Sequence, residues 1–322
     1  MFPVDLPDVE ELTSGSERCL SALESGAVED QRFGCSQVPV TRGNVFWLQV
    51  FEDGPPSSRS VLALRSPDDP DQGSGRPGSS ETRQGGTSPS VSCPAVLALF
   101  LQDSWWSLED VLRTASPSRT GLVPVASLAE RLLVFLLSRV VERLPGEQQL
   151  FLLHPRAESC KLLWEGGAAV GFYTFKARGA RVDGWSGRCY ALPVLDSLQV
   201  RRSCRGRGLG LRLLEDFCST FQEEELLGIS SPLSEGLVAV LRKLLGRRRD
   251  LRDRLYEVEA PEVLGGGARR NIWLGIQLGR FSPGSAADGG GTPAGVQRNP
   301  VLGSSQQVGV SAASREVPGT ER

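Results

Sequence analysis

The residues best suited to chemistry lie in one stretch, Leu195-Asp196-Ser197-Leu198-Gln199-Val200-Arg201-Arg202-Ser203-Cys204-Arg205-Gly206-Arg207-Gly208-Leu209-Gly210-Leu211. A strand delivers the chain to a loop dense in glycine and arginine, which then becomes a helix. Gly206, Gly208 and Gly210 let the backbone approach a ligand closely. The loop amides and the helix N-terminus face one anion, and Arg201, Arg202, Arg205 and Arg207 add positive charge. In physical terms this is a pyrophosphate cradle. No Gly-Lys-Ser/Thr follows, which excludes a Walker loop. A nicotinamide fingerprint also fails, because its third glycine position is Leu211. A tight strand–helix turn with a solvated basic face accounts for the same residues, and the two readings stay open at this level.

Other chemistry is sparse. The seven cysteines (19, 35, 93, 160, 189, 204 and 218) never fall in Cys-x-x-Cys spacing, and the only histidine is His154. No metal site is expected from such ligands. One histidine also removes most Ser-His and Cys-His arrangements, and His154, between an apolar run and Pro155, reads as structural. The odd cysteine count, with no secretory signal after Met1-Phe2-Pro3-Val4-Asp5, points to free thiols in a reducing compartment, nucleus or cytosol.

The elements that must position the loop can be read from periodicity and punctuation. Cys160–Glu165 and Ala168–Lys176 read as a hairpin turning at Gly166-Gly167, with Gln149–Leu153 a strand before them. Leu192–Val200 is the strand entering the loop, and Leu209–Phe221 is the helix leaving it. Leu226–Ile229 is a strand, Leu233–Leu245 a helix, and Arg254–Glu259 and Asn271–Leu278 are strands. This order predicts an α/β (α+β) fold with a mixed sheet and flanking helices. Upstream, Val45–Phe51 and Ser60–Leu64 read as strands joined at Gly54-Pro55-Pro56, and Pro94–Leu101 as a short buried helix. Ser107 caps a helix at Leu108, and the strongest helix runs from Val125 to Leu144. The domains expected are an N-terminal α+β region over 1–145 with a disordered insert at 66–92, a second region over 146–280, and a disordered tail over 281–322.

Composition narrows the function class. Across 322 residues, 36 Lys+Arg against 38 Asp+Glu leave a net charge of −2, which argues against a protein that coats nucleic acid, and no specific nucleic-acid binding is expected. The apolar runs are far shorter than the ~20 residues of a membrane span. Trp105-Trp106 reads as a core anchor or a partner patch. Arg247-Arg248-Arg249 with Arg252 and Arg254 reads as a helix end, or as a contact to nucleic acid or an import signal.

Arg205-Gly206-Arg207-Gly208-Leu209-Gly210, with its preceding strand and following Leu-rich helix, resembles the Arg/Gln-x-x-Gly-x-Gly/Ala signature of the Gcn5-related N-acetyltransferase superfamily. The element order from about Leu150 to Leu278 is similar as well. This resemblance implies acetyl-CoA, with its pyrophosphate on the amides from Arg205 through Gly206, Arg207, Gly208 and Leu209 to Gly210, and its pantetheine arm beside Leu198–Val200. A closer resemblance is carried by Met1-Phe2-Pro3-Val4-Asp5-Leu6-Pro7, Trp105-Trp106-Ser107-Leu108, Leu192-Pro193-Val194-Leu195-Asp196 and Leu214-Glu215-Asp216-Phe217. These look like the soluble lamin-associated protein family, which contains a longer nuclear member and a shorter paralogue. It implies a nuclear or nucleus-associated protein with an acetyltransferase-like domain and no established reaction.

Acetyl transfer needs a neutral amine, a polarised thioester carbonyl and a protonated leaving thiolate, and a carboxylate commonly supplies the base. Asp196 is the nearest candidate and Glu165 the second. The superfamily often places a tyrosine acid at the end of the helix after the next strand, where this chain reads Val240-Leu241-Arg242-Lys243-Leu244-Leu245. Two functions follow as expectations: acetyl-CoA binding with N-acetyl transfer to an amine, or a catalytically silent scaffold that binds a nuclear or lamin protein.

Overall fold

A computed structural model describes residues 2–5, 15–26, 29–33, 36–51, 59–65, 95–141, 158–181, 187–259 and 269–281. The expected strand at Gln149–Leu153, His154, the Gly54-Pro55-Pro56 turn and the segments 66–92 and 282–322 lie outside the described residues.

The chain begins with a 3-10 turn, Pro3–Asp5, and helix α1, Ser16–Glu24. Strands β1 (Glu29–Phe33) and β2 (Ser36–Val40) pair with each other. A four-stranded antiparallel sheet follows in the order β3 (Val45–Gln49), β4 (Ser60–Arg65), β5 (Val96–Leu101) and β6 (Ser104–Ser107). Val96–Leu101 is therefore a strand and not the expected helix. Six consecutive apolar residues suit either a buried strand or a short buried helix. Pairing on both sides, to β4 and to β6, decides for the strand. Trp105 and Trp106 sit on β6, one step before the helix expected at that point. Trp105 packs edge-on against Phe100 at 5.3 Å, and Trp106 Nε1 donates to Leu101 O at 3.1 Å. Both anchor the fold.

Helix α2 (Leu108–Val111) starts where Ser107 accepts the Asp110 N–H. After β7 (Gly121–Pro124), helix α3 (Leu128–Arg139) opens with a capping box, the Ser127 side chain on the Glu130 N–H and the Glu130 carboxylate on the Ser127 N–H. Its apolar positions are buried almost all round, between the four-stranded sheet and the next one.

That next sheet has seven strands. It adds β8 (Ser159–Glu165), β9 (Ala168–Lys176), β10 (Val194–Val200), β11 (Leu227–Ser230), β12 (Leu255–Val258) and β13 (Arg270–Asn271), in the spatial order β13-β12-β11-β10-β9-β8-β7. β10, β11 and β12 run parallel, and every other neighbour pair is antiparallel. Residues on both sides of position 145 share this sheet, because β7 pairs with β8. The β8–β9 hairpin turns at Gly166 and Gly167, with φ of 55° and 78°. Two parallel crossovers carry helices α4 (Leu209–Thr220) and α5 (Glu235–Arg247), and both pack on one face. Ser234 caps α5 through the Leu237 N–H. The fold is thus a mixed α/β one, as the element order predicts.

The chain's expected last strand, Asn271–Leu278, is mostly helix α6 (Ile272–Gln277). Asn271 ends the short β13 and its side chain accepts the Leu274 N–H at 2.8 Å, an N-cap that turns the apolar run into a helix.

Candidate anion and cofactor site

β10 is the strand that positions the site. On one side it pairs with β9 along its whole length, with an irregularity between Leu195 and Ser197. On the other it pairs with β11 only at Val194↔Gly228 and Leu195↔Ile229. Beyond Leu195 the two parallel strands part. Asp196 lies at that point, and Ser230 Oγ donates to its Oδ1 at 2.7 Å across the base of the opening.

The backbone of β10 is available along this opening. The Ser197 N–H donates toward β9, to Thr174 Oγ1 at 3.1 Å, and the Arg201 N–H to Val170 O at 2.9 Å. Alternation along a strand turns the intervening amides of Leu198 and Val200 to the other edge. The Val200 carbonyl on that edge accepts from Arg205 Nε at 2.9 Å. The side chains of Leu198 and Val200 pack instead into the core under α4.

The loop reaches α4 through a 3-10 turn at Arg202–Cys204 and two left-handed glycines, Gly206 at φ 79° and Gly208 at φ 82°. Gly208 is the N-cap of α4 and offers no side-chain acceptor to the first-turn N–H groups. A Cβ at Gly206 or Gly208 would meet no atom within 4 Å, so both face open space. Gly210 does not: its Cβ would stand 3.4 Å from Val240 Cγ2 on α5. It serves helix–helix packing. The Leu209 side chain is buried in the core, which leaves only its amide for a ligand.

The loop carries less free positive charge than its composition suggests. Arg201 makes a two-pronged pair with Glu109 of α2. Arg207 Nη1 lies 2.9 Å from Glu165 Oε2 at the end of β8. The two candidate bases are therefore held apart. Asp196 sits on β10 with Ser230, and Glu165 sits on β8 with Arg207, with β9 between them. Downstream, Arg252 and Arg254 of the basic cluster are drawn into the fold, while Arg247, Arg248 and Arg249 stay exposed. Arg254 Nη2 donates to the carbonyls of Phe221, Gln222 and Glu224, Arg252 Nε to Leu245 O, and Arg248 pairs with Asp250. Arg247 lies in the last turn of α5, where a cation suits the helix dipole.

One nearby residue escapes sequence reasoning. The Tyr190 phenol is pushed up to about 12, first by burial and then by the charges of Asp196 and Glu158. It stays a neutral donor facing the field of Asp196, and nothing in its spacing marks it out. Tyr256, on β12, packs with Leu192, Val194 and Val258. Among the described residues no group of three or more His, Cys, Asp or Glu is placed to hold a metal ion, and no helix is long and apolar enough to cross a membrane.

No protein-family model matches the chain. Protein FAM169B of Mus musculus is 36% identical over 288 residues, spanning 86% of this chain and 78% of that protein. Protein FAM169BP of Homo sapiens is 42% identical over 118 residues, spanning 35% of this chain and 62% of that protein. Among solved structures, a ribosomal-protein-alanine N-acetyltransferase from Brucella melitensis biovar Abortus 2308 aligns at 18% identity over 46% of this chain and 72% of that one, with a TM-score of 0.15.

Proposed function

The chain belongs to the family of Protein FAM169B, and from that footing we propose that it binds acetyl-CoA in the opening between β10 and β11. One observation carries the reading. A strand that parts from its parallel neighbour after two residue pairs runs into a loop with two left-handed glycines and an uncapped helix N-terminus. Pyrophosphate would lie on the amides from Arg205 to Gly210, and the pantetheine carbonyls would accept from the outward N–H groups of Leu198 and Val200. For N-acetyl transfer the amine nitrogen attacks the thioester carbonyl, the C–S bond breaks and the thiolate takes a proton. Asp196, at the base of the opening, would accept the amine proton. Titrating the purified full chain with acetyl-CoA in a calorimeter tests binding. No heat at millimolar ligand overturns it.

A second reading is favoured by α5. Its C-terminal half, where the superfamily often carries a tyrosine acid, presents buried Leu241, Leu244 and Leu245 to the core. On this reading the domain binds without turnover and acts as a nuclear scaffold with a lamin-type protein partner. Retention of the tagged chain by immobilised lamin, with no acetyl transfer to any amine offered, would support it. Turnover that Asp196→Asn abolishes would exclude it.

A further inference from the structure

Glu165 and Arg207 meet at the edge of the proposed phosphate site in an unusual way. The 2.9 Å contact is a charge contact without hydrogen-bond alignment, and Glu165 Oε2 is buried with no hydrogen-bond donor. A buried carboxylate oxygen left without a donor is costly, and Coulomb attraction alone offsets that cost. Glu165 stands at the last position of β8, fixed by pairing with Ala168 of β9 across the hairpin turn. Arg207 stands between the two open glycines of the loop, with its side chain 56% exposed. The rigid partner is the carboxylate and the movable one is the arginine.

We infer that Glu165 is an affinity-setting residue, a resident carboxylate that occupies Arg207 and that a phosphate must displace. The inference rests on the proposed function, since it assigns the ligand's phosphates to this loop. An anion on the loop amides lies within a side chain's reach of Arg207. To recruit that guanidinium it must compete with Glu165, whose own charge repels it. The pyrophosphate group as a whole carries two charges and offers more oxygens than a carboxylate does, and it matches the arginine fork. A singly charged carboxylate ligand has no such advantage. Glu165 therefore lowers affinity for an anion that recruits Arg207, both by holding the guanidinium and by its own charge. A carboxylate employed in this way is no base for the amine, so the second of the two catalytic candidates takes a different role.

The test is calorimetric titration of the full chain with CoA and, separately, with inorganic pyrophosphate. Glu165→Gln and Glu165→Ala should each bind CoA about three- to tenfold more tightly than the parent. Pyrophosphate should show the same gain, because the effect resides at the phosphates. In an Arg207→Ala background the gain should shrink to what relief of Glu165's own repulsion leaves, a dependence on Arg207 that a general change in packing would not produce. Equal or weaker CoA binding by both Glu165 variants overturns the inference while leaving the proposed function standing. Absence of binding by parent and variants to both probes overturns the two together.

Discussion

Tyr173 donates its hydroxyl to Asp216 Oδ2 across 2.6 Å, and Lys161 Nζ reaches the same oxygen at 2.8 Å. One carboxylate on α4 thus receives donors from β8 and β9. Lys161 also donates to Thr220 Oγ1 one turn further along the helix. Tyr173 is fully buried, and burial first, then Asp216, pushes its phenol far above the ordinary range. The helix whose N-terminus opens the candidate site is held to the sheet at its far end by this polar junction, while Leu213, Leu214 and Phe217 hold it by packing.

Tyr173→Phe should cost about 1.5–3 kcal/mol of unfolding free energy, the range for a hydrogen bond to a charged group. Asp216→Ala should cost more, because it strands a buried hydroxyl and also removes the ion pair of Lys161. Urea denaturation of the two variants orders them. A Tyr173→Phe variant as stable as the parent would show that the bond contributes nothing net.

Gly208 and Gly210 should separate binding from folding. Gly208→Val places a β-branched residue at φ 82°, which costs ~1–2 kcal/mol, but its Cβ meets nothing within 4 Å. The variant should stay folded and lose CoA binding. Gly210→Val crowds Val240, 3.4 Å from the new Cβ, and should lower the melting temperature more. Thermal melts paired with calorimetry distinguish the two, and CoA affinity that survives Gly208→Val would refute the site.

Asp5 should make stability depend on acid. Burial opposes its charge, but donors from the Thr114 hydroxyl, Ala115 N–H and Phe2 N–H, with Arg119 nearby, outweigh it and hold the carboxyl below its ordinary 3.8. A depressed folded value means the stabilisation is complete above 3.8 and fades as pH falls through the lowered value. Asp5→Asn should therefore be destabilised at neutral pH, with the gap to the parent closing in strong acid. Melting temperatures across that range check the sign.

The thiols should divide by burial. Burial pushes Cys160 up to about 11 and Cys218 up to about 12, whereas Cys189 is exposed. A thiol reagent at about pH 8 should modify Cys189 before Cys160 and Cys218, which should stay intact until the chain unfolds. Peptide mass spectrometry reads the order, and early labelling of Cys218 would contradict the packing under α4.

Signals confined to a few neighbouring residues are the ones legible in this sequence. Ser107 before Leu108, and Gly166-Gly167 between two apolar runs, specify a cap and a hairpin turn through contacts no more than a turn away. The strand–loop–helix unit from Val194 to Thr220 is local in the same sense, so its residue types and spacing alone mark the candidate cradle. What the fold alone decided depends on residues distant in the chain. Val96–Leu101 becomes a strand because β4 and β6 flank it, and no periodicity within six apolar residues encodes those neighbours. The opening beside β10 exists because β11 leaves after two residue pairs, a property of two strands and not of either one. Arg207 belongs to the loop, but Glu165 reaches it through the strand order of the sheet. Composition counts that arginine as free charge, and only tertiary packing supplies the carboxylate opposite it.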